Sequence, residues 1–128
     1  MRLLIDTHIL LWSALEPERL SPTARAAIED GENDAYVSAV SAWEIAIKQS
    51  LGKLVLDRPA EHWLPEVLRK SGFEALEVTV ASALRVRALP YHHRDPFDRL
   101  LVAQALEENL TLVTHDSKLA DYGVPLLS

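Results

Sequence analysis

The sequence contains no cysteine and only four glycines, and each shortage excludes a class of protein. Without thiols the chain has no disulfide, no thiolate metal site and no cysteine nucleophile. The glycines are isolated from one another, so no glycine-rich loop of the P-loop or Rossmann type is present to cradle phosphates. The absence of thiols also agrees with a reducing compartment, which makes the cytoplasm the expected location.

Long hydrophobic runs are absent as well. The first apolar run ends at Asp6, and no segment approaches the roughly 18 apolar residues of a membrane span. The stretch Glu16-Pro17-Glu18-Arg19 follows where a signal peptide would have a small-residue cleavage site. We therefore expect the first residues to belong to the fold, and we expect no membrane association.

Positive charge is in deficit, which argues against a simple electrostatic binder of nucleic acid. The chain has 13 Lys and Arg against 19 Asp and Glu, which gives a net charge of −6. A net charge does not locate its charges, however, and carboxylates gathered in one cleft would bind a hard cation instead. Composition alone leaves both interpretations open.

Short apolar segments alternate with amphipathic ones along the 128 residues, a length typical of one domain. Strands are predicted at residues 1–5, 35–37, 73–78, 110–114 and 124–127. Helices are predicted at residues 8–15, 22–28, from Ser38 or Ser41 to 51, 60–70, from Thr79 to about 89, and 97–108. Alternating strands and helices predict an α/β fold with a short, mostly parallel sheet and helices on both faces.

Four acidic residues stand where strands end or helices begin. Asp6 and Asp116 each follow a predicted strand, whereas Glu44 and Asp98 each lie in the first turn of a predicted helix. In a parallel sheet the ligand crevice lies beyond the carboxyl ends of the strands, so we expect all four to converge there. Converging carboxylates repel one another unless a cation compensates them. Oxygen ligands without cysteine favour Mg²⁺ or Mn²⁺, and such ions support hydrolysis of a phosphodiester.

Each acid also has a purely structural interpretation. Ser41 and Glu44 fit a capping box, and Asp95 fits a helix N-cap with Pro96 at the first helical position. Asp6 or Asp116 would then simply end a strand in a turn. The conjunction of four such positions favours a functional interpretation for all except Asp95.

Four segments carry a resemblance to a known family. They are residues 4–12 (LIDTHILLW), 41–48 (SAWEIAIK), 95–105 (DPFDRLLVAQA) and 111–116 (TLVTHD). Together they resemble the PIN-domain ribonucleases, and most of all the VapC-type toxins of type II toxin–antitoxin systems. The resemblance covers essentially the whole chain. It implies a single PIN domain over residues 1–128 with a PIN-like three-layer fold.

The resemblance assigns roles to particular residues. It implies that Mg²⁺ or Mn²⁺, and a water that attacks RNA, are held by the acidic quartet Asp6, Glu44, Asp98 and Asp116. Supporting roles fall on Thr7 and Thr114, and Asp95 ranks below them as a cap. The chain departs from many relatives at His8 and His115, so the hydrogen bonding around the quartet is expected to differ.

The resemblance also implies partners. It predicts an RNA substrate, a homodimer and a cognate antitoxin that blocks the active-site groove. Contact with operator DNA would come only indirectly, through that antitoxin.

Other polar and aromatic residues allow further interpretations. A basic rim for RNA phosphates would consist of His92, His93 and Arg94 with Arg99 and Lys118, although an exposed loop is an equal alternative. His92 and His93 with Asp95 match no ordinary zinc spacing. The three tryptophans lie in apolar helical patterns that favour core or interface packing over base stacking, namely Trp12, Trp43 and Trp63.

The leading hypothesis is therefore a metal-dependent endoribonuclease toxin. An alternative is a catalytically silent PIN-like module that only binds a protein. An aspartyl-phosphate enzyme with Asp6 as its nucleophile is the weakest hypothesis, because such enzymes want a second acid two residues later, where this chain has His8.

Overall fold

A five-stranded sheet organises residues 1–128 in the computed structural model. Its strands are β1 (Arg2–Ile5), β2 (Asp34–Ser38), β3 (Glu74–Leu76), β4 (Thr111–Val113) and β5 (Leu126–Leu127). Their order across the sheet is β3-β2-β1-β4-β5, and every pairing is parallel. The predicted α/β class is confirmed, and the sheet is wholly rather than mostly parallel.

Six α-helices cover the two faces of the sheet. They are α1 (Thr7–Leu15), α2 (Pro22–Glu29), α3 (Ala39–Ser50), α4 (Ala60–Ser71), α5 (Val80–Arg85) and α6 (Pro96–Glu108). Alternate residues of β1 point to opposite faces, so Leu3 and Ile5 belong to one core and Leu4 to the other. The first core packs against α1 to α4, and the second contains most of the buried face of α6. The result is the expected three-layer arrangement.

Strand β1 lies at the point where the chain reverses its direction across the sheet. Ile5 pairs with Val37 of β2 on one side and with Val113 of β4 on the other. The connections after β1 lead first to β2 and β3, and the later strands β4 and β5 extend the opposite side. In open parallel sheets, ligands bind at such a switch point, outside the carboxyl ends of the strands.

Several elements differ in extent from the sequence-based prediction. Helix α3 begins after Ser38, whose hydroxyl accepts from Val40 N–H, so the alternative start at Ser41 is wrong. The predicted helix from Thr79 to about 89 ends as an α-helix at Arg85 and continues as a 3₁₀ turn over Val86–Ala88. The strands after β2 are shorter than predicted, because apolar residues such as Phe73, Leu110 and Val124 lie outside the residues that pair.

The longest helix, α6, has 13 residues. No helix in the chain combines the length and apolar character that crossing a bilayer requires.

Candidate active site

An open cleft of about 550 Å³ lies at the carboxyl ends of β1 and β4. Its lining consists of Asp6, His8, Trp12, Arg19, Asp98, His115, Asp116, Ser117 and Lys118. Three of the four predicted acids therefore face one cleft. They reach it from the end of β1, the first turn of α6 and the end of β4.

Asp6 joins β1 to α1 and is only 5% exposed. Its N–H donates to the Val113 carbonyl at 3.1 Å, and its Oδ1 accepts from Ile9 N–H at 2.8 Å as the N-cap of α1. Burial raises the pKa of Asp6, and hydrogen bonding from Thr114 and Ile9 opposes that rise. The structural and functional interpretations of Asp6 thus coexist, since one oxygen caps the helix while the carboxylate also faces the cleft.

Glu44 lies in the second turn of α3 rather than the first and is 4% exposed. Its Oε2 is 2.8 Å from Lys48 Nζ, one helical turn further on. The capping-box interpretation with Ser41 is wrong, because the helix is capped three residues earlier by Ser38. Glu44 does not line the open cleft, but its charge raises the pKa of both Asp6 and Asp98. It therefore belongs to the same electrostatic centre.

Of the four acids, Asp98 has the most strongly raised pKa. Burial, together with the charges of Asp95, Asp6 and Glu44, raises its pKa to about 7, while His93 opposes the shift. The His93 ring is close by, with Nε2 at 3.6 Å from Asp98 Oδ2. Asp98 is thus a carboxylate whose ionisation requires more positive charge than the protein supplies.

Asp116 is held from two sides. Its Oδ1 accepts from Lys118 N–H at 3.0 Å as the cap of the 3₁₀ turn Ser117–Tyr122, and its Oδ2 is 2.9 Å from His93 Nε2. The other ring nitrogen, Nδ1, accepts from Asp95 N–H at 3.1 Å. Because Nδ1 is an acceptor, Nε2 carries the ring proton and donates it to Asp116.

His93 is the site residue that sequence reasoning set aside, because its spacing from His92 and Asp95 matches no ordinary zinc site. One ligand atom each of His93, Asp98 and Asp116 lie within 4.8 Å of one another, which is compact enough to surround one metal ion. The sequence places His93 beside His92 in a polar loop and gives no sign that its partners lie on α6 and after β4. A long-range contact of this kind has no signature in local spacing.

The supporting residues connect the elements that carry the acids. Thr7 Oγ1 donates to Ser41 Oγ at 2.9 Å and joins the start of α1 to α3. Thr114 Oγ1 accepts from Asp116 N–H at 3.1 Å. Asp95 caps α6 by accepting from Phe97 and Asp98 N–H at 2.8 and 3.3 Å, as its helix-cap interpretation predicts. These contacts hold the acids in place.

The structure contradicts the prediction that Arg99 belongs to a basic rim. Arg99 is 4% exposed, and its guanidinium donates to the carbonyls of Pro90, Val86 and Leu89. These groups lie in the segment before α6, which folds back over the helix and consumes the donors that a phosphate would need. Arg99 therefore fastens this segment to α6.

The other two arginine and lysine residues of the predicted rim are exposed. Lys118 lines the cleft, whereas Arg94 lies in the loop before α6 and does not line the cleft.

The three tryptophans differ in their burial. Trp63 is buried in the core as predicted. Trp43 is 58% exposed and packs edge-on against Phe97, so it is not part of the core, and interface packing stays a prediction for it. Trp12 packs partly on the core and partly lines the cleft.

The donor set fits a divalent cation. Four carboxylates contribute negative charge, and among them only Glu44 and Asp116 have a cationic or ring N–H partner within 3 Å. The raised pKa of Asp98 shows that this compensation is incomplete. Carboxylate oxygens with one nearby imidazole suit Mg²⁺ or Mn²⁺, which prefer oxygen ligands.

Comparison with known proteins gives a consistent family assignment. The family model described as PIN domain matches residues 3–125. The chain is 34% identical over 123 residues to Ribonuclease VapC22 of Mycobacterium tuberculosis, covering 95% of this chain and 92% of that protein.

Solved structures from other organisms share this fold. VapBC2 from Rickettsia felis, bound to a DNA fragment from their promoter, has a TM-score of 0.73 at 16% identity and covers 99% of this chain and 98% of its own. DNA-bound VapBC from Salmonella typhimurium has a TM-score of 0.71 at 14% identity, with 99% and 97% covered.

Proposed function

Because this chain belongs to the PIN domain family, we propose that it is a metal-dependent endoribonuclease and the toxin of a type II toxin–antitoxin pair. The observation that carries the proposal is the convergence of Asp6, Asp98 and Asp116 on one cleft. Glu44 lies outside the lining of the cleft, and its charge raises the pKa of Asp98. The ribonuclease relative VapC22 supports the substrate class. RNA as substrate makes the cytoplasm the proposed place of action.

The four acids would hold Mg²⁺ or Mn²⁺. Bound there, the ion would supply an activated water and stabilise the leaving oxygen of a phosphodiester. Neither Asp6 nor Asp98 has a cationic or ring N–H partner within 3 Å. The ring nitrogen of His93 lies 3.6 Å from Asp98. Asp6 and Asp98 are therefore the residues on which metal binding and catalysis should depend most.

The other side chains of the site orient these ligands. His93 fixes one oxygen of Asp116, and its own ring is fixed by Asp95 N–H. The Thr7 to Ser41 hydrogen bond joins the helices that carry Asp6 and Glu44. Ser38, the cap of α3, is hydrogen-bonded to Gln104 of α6, so the helices of Glu44 and Asp98 are also connected. Such support keeps a site within the narrow geometry that catalysis requires.

The test is cleavage of single-stranded RNA by the purified, antitoxin-free protein. With Mn²⁺ or Mg²⁺ we expect internal cleavage, with no cleavage after chelation and none by the Asp6→Asn variant. Asp57→Asn is a matched control, because Asp57 is exposed in a loop and pairs only with Arg58. Activity that survives chelation would reject the metal mechanism. A well-folded protein that binds Mn²⁺ but cleaves no RNA would favour the silent, protein-binding alternative.

The partners form a separate part of the proposal. The VapBC structures that share this fold support an antitoxin partner encoded beside this chain, with contact to DNA made through that partner. We expect the small protein encoded by the neighbouring reading frame to co-purify with this chain and to inhibit its cleavage of RNA. Sedimentation of the free chain tests the proposed homodimer, for which a monomer mass would count as refutation.

A further inference from the structure

The cleft has a second wall that the acidic centre does not use. It is formed by Trp12 of α1, Arg19 of the 3₁₀ turn Pro17–Arg19 and His115, which precedes Asp116. The Arg19 guanidinium carbon lies 4.6 Å from the centroid of the Trp12 ring. The His115 ring meets the same indole edge-on, with centroids 5.3 Å apart. We call these three residues the aromatic wall.

The aromatic wall has the chemistry of a nucleotide subsite. Unpaired RNA bases are bound mainly by stacking on aromatic rings or on the plane of an arginine guanidinium. An arginine stacked on an indole keeps the edge of its guanidinium free to donate to a phosphate or a base edge. His115 adds an exposed ring beside the partly buried indole. Cation, stacking surface and ring thus occur together within the cleft that contains the acids.

Ordinary structural roles do not account for Arg19. Its only ion pair is with Glu16 at 3.2 Å, and both side chains are about half exposed. Such surface pairs contribute little to stability, and so does a cation–π contact at an exposed site. Arg99 is the opposite case, since its donors are consumed by backbone carbonyls. Arg19 therefore has free N–H donors at the cleft, whereas Arg99, which the sequence assigned to a basic rim, has none there.

Charge gives a further reason for a cation at this position. The chain has a net charge of −6, and the cleft holds three carboxylates that repel RNA phosphates. Arg19 and Lys118 are the two permanently cationic side chains among the residues that line the cleft. A strand entering the cleft would meet favourable charge at these residues, beside the acids.

We propose that Trp12, Arg19 and His115 bind one unpaired nucleotide of a single-stranded RNA, next to the phosphodiester that the acids hydrolyse. This inference rests on the proposed ribonuclease function and adds how the substrate is held. Arg19 binds the nucleotide through its guanidinium, and Trp12 holds Arg19 in place. His115 contributes a ring surface for the base.

The first experiment measures binding of a short fluorescein-labelled single-stranded RNA by anisotropy, in the Asp98→Asn background without added metal, where the loss of one carboxylate should prevent cleavage and lessen the repulsion of RNA. Arg19→Gln should weaken binding about tenfold, within the range measured for loss of a stacked base. The slope of log affinity against log salt should fall by about 0.7, the contribution of one phosphate contact on a single strand. Equal affinity and slope in the two proteins would overturn the proposal.

Arg25→Gln is the matched control. Arg25 pairs with Glu29 at 3.1 Å on α2, and its exposure of 52% resembles the 55% of Arg19, but it does not line the cleft. Its replacement should leave RNA binding unchanged. If Arg25→Gln weakens binding as much as Arg19→Gln, the effect is one of net charge and the subsite is refuted.

Two further comparisons isolate stacking. Trp12→Leu should weaken binding in the presence of Arg19 but add little to Arg19→Gln, because residues that act as a unit are not additive. Trp12→Phe keeps an aromatic ring beneath Arg19 and should therefore retain most of the RNA affinity. This variant shows whether the loss in Trp12→Leu comes from the missing ring. After the cleaved bond of a test RNA has been mapped, the same RNA with one abasic nucleotide beside that bond should bind more weakly to the protein that keeps Arg19. Its binding to the Arg19→Gln variant should be nearly the same as that of the intact RNA. Full additivity, or equal binding of abasic and intact RNA by the parent, contradicts the assignment.

Steady-state cleavage separates this inference from the function on which it rests. In the otherwise intact protein, Arg19→Gln should raise KM about tenfold and leave kcat nearly unchanged. An intact protein that cleaves no RNA with Mn²⁺ refutes the ribonuclease function itself. An intact protein that cleaves RNA, combined with an Arg19→Gln variant of unchanged KM, refutes only the aromatic wall.

Discussion

The four acids divide into two pairs that the protein treats differently. Glu44 and Asp116 each have a partner at close range, Lys48 Nζ at 2.8 Å and His93 Nε2 at 2.9 Å. Asp6 and Asp98 have no such partner, and the pKa of each is raised, that of Asp98 to about 7. We call the first the partnered pair and the second the bare pair.

The difference shows what each pair contributes. A partnered carboxylate is oriented before any ion arrives, at the cost of competition between its partner and the ion. A bare carboxylate is strained electrostatically in the folded protein, and that strain is relieved when a cation binds. The bare pair should therefore control metal affinity and its pH dependence, and the partnered pair should control geometry.

The largest expected effect follows from neutralising a bare acid. Asp98→Asn should reduce RNA cleavage roughly 10²-fold to 10³-fold, as does loss of other groups that stabilise charge at a reaction centre. The same variant should stabilise the metal-free protein at pH 8 by about 1 to 2 kcal/mol, because a repelled charge is removed. Cleavage assays and thermal unfolding with chelator test both effects. A variant that loses both activity and stability would contradict the distinction between the pairs.

The pH dependence of the metal-free protein is the second prediction. Between the ordinary value of 3.8 and about 7, folded Asp98 keeps a proton that the unfolded chain has lost. The contribution of Asp98 to the free energy of unfolding therefore falls as the pH rises from about 4 to about 7, by at most about 1.4 kcal/mol per pH unit. Denaturant titrations of parent and Asp98→Asn proteins across this range isolate that contribution. Saturating Mn²⁺ should abolish the difference in slope, whereas parallel curves without metal would contradict the assigned shift.

A smaller effect is expected from removing His93, the partner of Asp116 in the partnered pair. His93→Ala removes the group that orients Asp116 and should weaken Mn²⁺ binding about 10-fold to 100-fold, as is typical of groups that orient metal ligands. Calorimetric titration with Mn²⁺ measures this directly. His92→Ala is the control, because His92 is exposed and its ring packs on Tyr122 instead. Unchanged Mn²⁺ affinity in His93→Ala would show that Asp116 does not depend on His93 for its orientation.

The smallest effect is expected at Lys48. Lys48→Met leaves buried Glu44 without its cation and should destabilise the metal-free protein by about 1 kcal/mol, a value reduced because Lys48 is 34% exposed. Lys70→Met, in the exposed pair with Glu66, should have no measurable effect. Saturating Mn²⁺ should restore part of the stability of Lys48→Met. Equal behaviour of the two lysine variants would mean that Glu44 needs no compensation.

The sequence was informative wherever function coincides with the ends of regular elements. Asp6 and Asp116 follow strands and Asp98 opens a helix, so their convergence followed from the parallel sheet alone. The position of Glu44 was predicted one turn too early because Ser38 and Ser41 both fit a cap, and only the packing of Ser38 against Gln104 selects the first.

Arg99, His93 and Arg19 show why the rest was not predictable. Each depends on how an irregular segment folds back on a distant element. The loop before α6 brings carbonyls to Arg99 and the His93 ring to Asp116, while a 3₁₀ turn brings Arg19 over Trp12. Neither hydrophobic periodicity nor capping patterns describe such segments, because their contacts lie far apart in sequence.

The pairing of β1 with β4 also determines when the site comes into existence. Leu3 pairs with Thr111, so the centre of the sheet joins opposite ends of the chain. Loop closure over such a separation is slow, and a chain made from its amino terminus exposes Asp6, Glu44 and Asp98 before β4 has been synthesised. Asp116 and the far side of the cleft arrive last. A chain interrupted at Asn109 would hold three of the four acids and still have no cleft, so incomplete products of synthesis should be inert.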